Sequence, residues 1–417
     1  MAKRRATGDG ALFQRNSDLM WVGSVEIQSF DGKRRQKRVY AAKYADCKKK
    51  LKELRDAIDD GFVPSASTNV ATWLKHWLEE IKRPNVRPKT FDYYEESVRL
   101  HLIPTLGTKR LGRLTPEDVR QALKTIATSS NRKRAHLVLN LAFKDAVKNG
   151  AIRRNICEAV EKPGHTAAER KSFTYEQAQH IIRTATEIEA SRDQTKGEPA
   201  VATRWATAFF TGARQSELLG LEWSRVDFDK GGIDLSWQLQ QLTKVHGCGK
   251  PVDDKYPCGR VRPSYCPQSH WKFKDGFESR DCYKSLIWTK PKTAAGTRWN
   301  PLPDELMDRL ARHAEIDEPN PYGLVWHHTD GRPFHPTDDH EAWQALLVAA
   351  GIAKQGATIP MHSMRHSTAT LLEERGVAQE DRMDLMGQSS AAAHEAYIHR
   401  DQSRKRAAVE TLTGLLG

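Results

Sequence analysis

Apolar positions are spaced differently in successive stretches of this chain, and each change of period predicts a different kind of element. Over residues 11–42 two runs with strand patterning, LMWVGSVEIQ and KRRQKRVYAA, flank Ser29-Phe30-Asp31-Gly32, whose Asp-Gly pair predicts a hairpin turn. From Lys43 the period lengthens. Cys47, Leu51, Leu54 and Ile58 share one helical face, and Gly61 supplies a terminator. A short sheet plus one helix makes a small α+β module, and Pro64-Ser65-Ala66-Ser67 reads as the linker that follows it.

From Thr68 to Glu161 the period is helical. Val70, Trp73, Leu74, Trp77, Leu78 and Ile81 form one stripe, and Thr115-Pro116-Glu117-Asp118 is an N-cap with proline at the first helical position. A further helix over 131–149 is expected to turn Leu137, Leu141 and Val147 inward, with Arg132, Lys133 and Arg134 near its start and Gly150 past its end. This predicts a compact all-α domain. Lys162-Pro163-Gly164-His165 begins a second linker, and Thr174 with Gln177 forms a capping box that opens a third domain. There helices dominate, interrupted by strand-like stretches at 233–241, 285–290 and 298–302. The expected division is 1–65, 66–165 and 170–417, and a chain of 417 residues is long enough to give each part a core.

Charge adds a direction to this outline. Residues 1–170 hold 35 basic and 20 acidic side chains, whereas residues 171–417 hold 31 and 33, so the whole surplus lies in the first two-fifths. Such a surface suits a polyanion, because neutralising phosphates releases condensed counterions whatever the base sequence. No apolar run approaches the roughly 20 residues of a membrane span, and MAKRRATGDG lacks the apolar stretch of a secretory signal. The expectation is a soluble, intracellular protein.

Candidate chemistry is concentrated in the last half. Arg214 in TGARQSELLGLEW, Lys292 in PKTAAG, His362 and Arg365 in MHSMRH and Tyr397 in AAAHEAYIHR supply fixed cations, an imidazole and a phenol. That set is what cutting a phosphodiester through a covalent tyrosine link requires. Alone, each has a plainer reading: a surface ion pair for an arginine, a structural histidine, a tyrosine packed in a core. His366 follows Arg365 by one residue and, on a helix, is expected to point elsewhere.

The segments TGARQSELLGLEW, His362-x-x-Arg365 and LMGQSSAAAHEAYIHR, in that order, resemble the signature boxes of the tyrosine recombinases, phage integrases in particular. The resemblance runs from about residue 70 to the C-terminus, and the N-terminal module is similar to the arm-type DNA-binding domains of heterobivalent integrases. It implies the tyrosine recombinase fold: a small α+β arm-type module, an all-α core-binding domain, and a mainly α catalytic domain with a small antiparallel sheet. The activity implied is site-specific cleavage and rejoining of DNA through a 3′-phosphotyrosine, integrating and excising a phage or mobile element. Arg214 and Arg365 would stabilise charge on the non-bridging phosphate oxygens. His362 would bond the phosphate or move the proton of the phenol. Lys292, at the position where the family has a hairpin lysine, would protonate the departing 5′ oxygen; Lys290 lies close by. Glu217 is placed to orient nearby groups, and Tyr397 would be the nucleophile. The implied partners are double-stranded DNA at core and arm sites, three further copies of the chain in a tetramer that passes through a Holliday junction, an excisionase and a host DNA-bending protein. No cofactor is implied for catalysis.

One position departs from the family. Nine residues before the nucleophile it usually has His or Trp, and here stands Gln388. Glutamine can donate a hydrogen bond to a phosphate oxygen but cannot carry a proton. That leaves a second reading, a DNA-binding regulator with the recombinase fold and no chemistry, and a third, a relaxing topoisomerase. Residues 242–285 form an insertion holding Cys248, Cys258, Cys266 and Cys282 with His246 and His270. Four thiolates, or three with a histidine, suit a structural zinc ion, though no Cys-x-x-Cys pair is present; free buried thiols are the other reading. The stripe of Val409, Leu412, Leu415 and Leu416 is suited to docking on a neighbouring subunit or to packing in cis.

Overall fold

The computed structural model describes residues 11–28, 34–59, 68–164, 172–191, 201–252, 255–271, 273, 276–388, 406, 409–410 and 412–416. The hairpin turn at 29–32, the first linker and Tyr397 lie outside the described residues. The chain divides into two compact units, Met1–Ala167 and Ala168–Gly417.

In the first unit β1 (Ala11–Gln14), β2 (Trp21–Gln28) and β3 (Arg34–Ala41) make an antiparallel sheet in that order, with Phe13 opposite Val22 and Val22 opposite Tyr40. Helix α1 (Tyr44–Asp59) covers one face, where Val25 and Leu51 are buried with Leu12, Val39, Leu54 and Ile58 around them. The expected stripe of α1 is the observed one. Residue alternation turns Phe13, Arg38 and Tyr40 to the other face, and all of them are exposed.

The all-α part of this unit is built from α2 (Val70–His76), which continues as a widened turn over Trp77–Lys82, α3 (Pro88–Ser97), α4 (Ile103–Leu106), α5 (Pro116–Lys124) and α6 (Ser129–Lys148). Trp73 and Trp77 are wholly buried, and their indole N–H groups donate to the Ala142 carbonyl (3.1 Å) and the Asp145 carboxylate (2.8 Å) of α6. A reciprocal cap between Thr115 and Asp118 starts α5 as expected. Helix α6 differs in phase from the expectation. Ala135, Val138, Leu139, Ala142, Phe143 and Ala146 face inward, whereas Leu137 and Val147 are exposed. Small residues let α6 lie close to the two tryptophans, so the alanine-rich face wins over the one with fewer but larger side chains.

The second unit opens with α7 (Tyr175–Ser191), capped by the predicted Thr174–Gln177 pair, and centres on α8 (Ala202–Thr211), which is buried along its whole length. After α9 (Gln215–Leu219) come β4 (Val226–Asp227), β5 (Gly232–Asp234), β6 (Gln238–Gln241), β7 (Lys244–Val245), β8 (His270–Trp271), β9 (Ser279–Asp281), β10 (Leu286–Thr289) and β11 (Trp299–Pro301). They form antiparallel sheets ordered β6-β10-β9 and β11-β5-β4, with β7 and β8 paired inside the insertion. Helices α10 (Asp304–Ile316), α11 (Pro336–Ala349), α12 (His362–Glu374) and α13 (Gln379–Met386) complete the unit. Val409, Leu412 and Leu415 are buried in this same core, which is the cis packing. No described helix is long and apolar enough to cross a membrane.

Polar groups fix the inner helices. Arg204 on α8 and Asp339 on α11 form an ion pair of 2.7 Å with both side chains almost fully buried, and Gln215, the first residue of α9, donates to the same Asp339 oxygen (2.9 Å) and to the Pro336 carbonyl (2.8 Å). Breaking a buried pair leaves a charge with no compensation. Asp339→Ala is therefore expected to cost the second unit about 3–5 kcal/mol, read as a lower urea midpoint for that unit's unfolding, and a change within about 0.5 kcal/mol, the range of an ordinary surface substitution, would refute it.

Candidate active site

The site is assembled on the C-terminal end of α13. Gly387 takes a left-handed conformation (φ 61°), and the N–H groups of Gly387 and Gln388 donate back to Asp384 (3.1 Å) and Met383 (2.9 Å), closing the helix. No side chain fits at Gly387, because a Cβ would lie 2.7 Å from Arg298 Nη1 and 2.8 Å from the Ala295 carbonyl. The next carbonyls, which such a cap leaves open, are taken by three arginines. Arg298 Nε donates to Leu385 (2.9 Å), Arg365 Nη2 to Met386 (2.6 Å), and Arg214 Nη2 to Gly387 (3.3 Å). Asn300 Nδ2 adds a second bond to Leu385 (2.8 Å). Cations at a helix C-terminus meet the negative end of its dipole, so position and charge agree.

Each arginine arrives on its own element. Arg214 is the N-cap of α9, reached through Gly212, whose φ of 57° ends α8 and whose missing Cβ makes room for Met386. Arg365 lies one turn into α12, 4% exposed, and also donates to the Gly212 carbonyl (2.7 Å). Arg298, 3% exposed, precedes β11 and additionally donates to Gly296 (3.3 Å). Glu217 is buried among them, accepting from Arg298 Nη2 (3.0 Å), Arg214 Nη1 (2.6 Å) and the Arg214 backbone N–H (2.8 Å).

Electrostatically the cluster is unbalanced. Burial alone would raise the Glu217 carboxyl, but the Arg298 and Arg214 charges outweigh it and hold that group below the ordinary carboxylate range. Burial, then repulsion from Arg214 and Arg298, pulls Arg365 down to about 9, still protonated at neutral pH. Three guanidiniums around one carboxylate leave positive charge to be met by an anion. Arg214, whose side chain is 41% exposed, is the member open to solvent.

The other candidates fall around this cluster. His362 is the first residue of α12 and exposed. His366 shares its face, with ring centroids 4.8 Å apart and planes at 87°, so the expectation that His366 points elsewhere is corrected: the two are four residues apart on one helix. Lys292 is exposed on the turn between β10 and β11, whose Ala294–Gly296 segment packs against Gly387. That turn does not join partnered strands. β10 pairs with β6 and β9, and β11 pairs with β5, because Arg298 and Asn300 hold β11 to Leu385. Lys290 instead lies 4.3 Å from the centre of the Trp237 ring. Gln388 has its backbone fixed by the helix cap and its side chain exposed. Arg298 was not singled out from sequence. Its signal was alternation: Arg298, Asn300 and Leu302 occupy the inward phase of a strand, and an arginine there requires partners.

The cysteines of the insertion do not gather as a set of four. His246, Cys248, Cys258 and Cys266 converge, while Cys282 packs on the core of the unit, where burial pushes its thiol up to about 12.

Comparison with known proteins places this arrangement. Residues 69–126 match the family model described as phage integrase, N-terminal SAM-like domain. An integrase of Saccharopolyspora erythraea is 29% identical, aligned over 95% of this chain and 94% of its own length. A protein of Caldanaerobacter subterraneus subsp. tengcongensis named tyrosine recombinase XerC-like is 25% identical over 92% of this chain and 93% of its own. Over nearly its whole length the chain is similar to integrases and tyrosine recombinases. Solved recombinases share its fold. The Tn1549 transposon integrase in complex with transposon right end DNA matches with a TM-score of 0.56 at 19% identity, over 83% of this chain and 99% of that one. A lambda integrase dimer bound to a COC' core site matches at 0.51 and 14%, over 97% and 96%.

In this recombinase Glu217 links the site to acid stability. Its folded pKa is depressed, so its contribution is complete above the ordinary carboxyl value of 4.5 and is lost as pH falls through the lower folded value. The stability difference between wild type and Glu217→Gln is expected to be constant from pH 8 to about 6 and to shrink on acidification below about 4.5. A thermal-melt series at matched ionic strength checks it, and a difference independent of pH would contradict the ionised role.

Proposed function

We propose that this enzyme is a site-specific integrase in which the Tyr397 phenol attacks a scissile phosphodiester, forming a 3′-phosphotyrosine and releasing a 5′-hydroxyl. The bond energy stays in the covalent link, so rejoining needs neither nucleotide nor metal. The observation that carries the reading is the surplus of guanidinium over carboxylate at the end of α13, on the stretch of chain that leads to Tyr397. Arg214 and Arg365 supply preorganised donors for the non-bridging oxygens, where charge grows in the transition state. Lys292 protonates the leaving 5′ oxygen, His362 bonds the phosphate or moves the phenol's proton, and Gln388 donates a hydrogen bond without titrating. Arg298 and Glu217 hold the other two arginines in place.

The finer organisation follows the same reading. Residues 1–65 bind arm sites through the helix-free sheet face, a proposal supported by exposed Phe13, Arg38 and Tyr40 and by the Arg15 guanidinium 5.6 Å from the Tyr40 ring centre. Residues 66–165 and 170–417 bind the core site. Four copies exchange strands through a Holliday junction, as suggested by the lambda integrase tetramer solved on such a junction, similar in fold at a TM-score of 0.50. An excisionase and a host DNA-bending protein set direction, the mobile element is a phage or its like, and the protein works at the nucleoid of the bacterial cytoplasm.

Nicked suicide DNA carrying the element's own attachment core tests this. Wild type should leave a denaturant-resistant protein–DNA adduct that Tyr397→Phe abolishes, and Arg365→Ala should slow its formation by about 10²–10³-fold. Absence of adduct with wild type would point to a regulator, and relaxation without strand exchange to a topoisomerase. Gln388→Ala should slow cleavage, and an unchanged rate would remove Gln388 from the site.

A further inference from the structure

The insertion between β6 and β10 carries a cluster that strand transfer does not use. The ligand atoms of His246, Cys248, Cys258 and Cys266 all lie within 4.8 Å of one another. Cys258 Sγ is 3.4 Å and Cys248 Sγ 3.8 Å from the same atom, His246 Nδ1. A tetrahedron with Zn–S of about 2.3 Å and Zn–N of about 2.0 Å has corners roughly 3.5–3.8 Å apart, so these edges already have its size. All these thiols are free.

The backbone is arranged for the convergence. A Cβ at Gly247 would lie 2.1 Å from the Gln268 carbonyl, so only glycine fits between His246 and Cys248. The His246 ring stacks on Tyr256 with centroids 3.6 Å apart and planes at 11°. Cys266 follows the short turn Pro263–Tyr265 and is buried. Among its described residues only Leu242 and Cys266 are buried, and Val252 is 72% and Val261 90% exposed. A segment without an apolar core needs another source of folding energy, and metal ligation supplies one.

We propose that His246 Nδ1 and the sulfurs of Cys248, Cys258 and Cys266 bind one structural zinc ion, with Cys282 outside the set. The thiols lose their protons on binding, and the ion ties the end of β7 to two distant turns of the insertion. It thereby fixes part of an insertion whose sequence over 242–285 has nine basic and five acidic side chains, in a half of the chain that is otherwise acid-rich.

Metal analysis of the untagged full-length protein, purified without chelator, should find stoichiometric zinc. Cobalt in its place should give the visible absorption of a tetrahedral thiolate site. Cys258→Ser and Cys266→Ser should lose the metal, and Cys282→Ser should keep it. Should the serine variants fail to fold, alkylation of wild type followed by mass spectrometry gives the same information: Cys248, Cys258 and Cys266 should be protected until a chelator removes the zinc. Metal far below stoichiometry after incubation with zinc would overturn the site. Loss of metal in Cys282→Ser with retention in His246→Ala would overturn the ligand set. None of these readouts depends on DNA cleavage.

Discussion

Three guanidiniums on the carbonyl end of one short helix tie together the elements that meet there. The cap at Gly387 satisfies the carbonyls of Met383 and Asp384, and Arg298, Arg365 and Arg214 take Leu385, Met386 and Gly387 in turn. A buried arginine without partners is costly, and a buried carbonyl without a donor is too. Each therefore requires the other. Because the arginines come from β11, α12 and the N-cap of α9, the requirement joins a sheet and three helices at one point. Small glycines make the approach possible: Gly212 and Gly387 combine left-handed backbone with contacts that leave no space for a side chain.

The same arrangement divides the arginines by task. Arg298 spends its donors on Leu385, Gly296 and Glu217, so it positions rather than contacts. Arg365 is held by two carbonyls and is pressed by its neighbours' charge, which makes an added anion beside it favourable. Arg214 is half-exposed, with one short bond to Glu217 and one long bond to Gly387. In the proposed reaction a phosphate approaching from solvent would meet Arg214 first and find the remaining charge already fixed, and such preorganisation lets donors act on a transition state without reorganisation.

Local signals in the sequence carried far. The stripe on α1, the caps at Thr115 and Thr174 and the buried face of α2 are all where periodicity and capping chemistry put them, because each depends on residues within a few positions. Failures occurred where a distant partner decides. Arg298 meets Leu385, 87 positions away, and β11 pairs with β5 while β10 pairs with β6 and β9. The phase of α6 is set by Trp73 and Trp77 from a helix some seventy residues earlier. The cysteine insertion shows the same limit. Composition indicated a cluster, but whether His246 or Cys282 joins it depends on the β7–β8 ladder and on the core that Cys282 packs against. His366 is a different case, since its i,i+4 relation to His362 is local and legible in the sequence.

Gln388 has a consequence for the proposed chemistry. Its backbone is pinned by the cap on α13, so its side chain leaves the helix end at a fixed point. A glutamine there can hold a phosphate oxygen, yet it offers no route for a proton. A free phenol has a pKa near 10, and in the proposed reaction that of Tyr397 must lose its proton to attack. The arginines can stabilise the phenolate but cannot accept the proton, because guanidinium stays ionised. An imidazole, unlike a guanidinium or an amide, can take up and release a proton, and α12 begins with one at His362. In the proposed chemistry Gln388 therefore leaves the proton to another group, and His362, with His366 against its ring, is the one assigned to it.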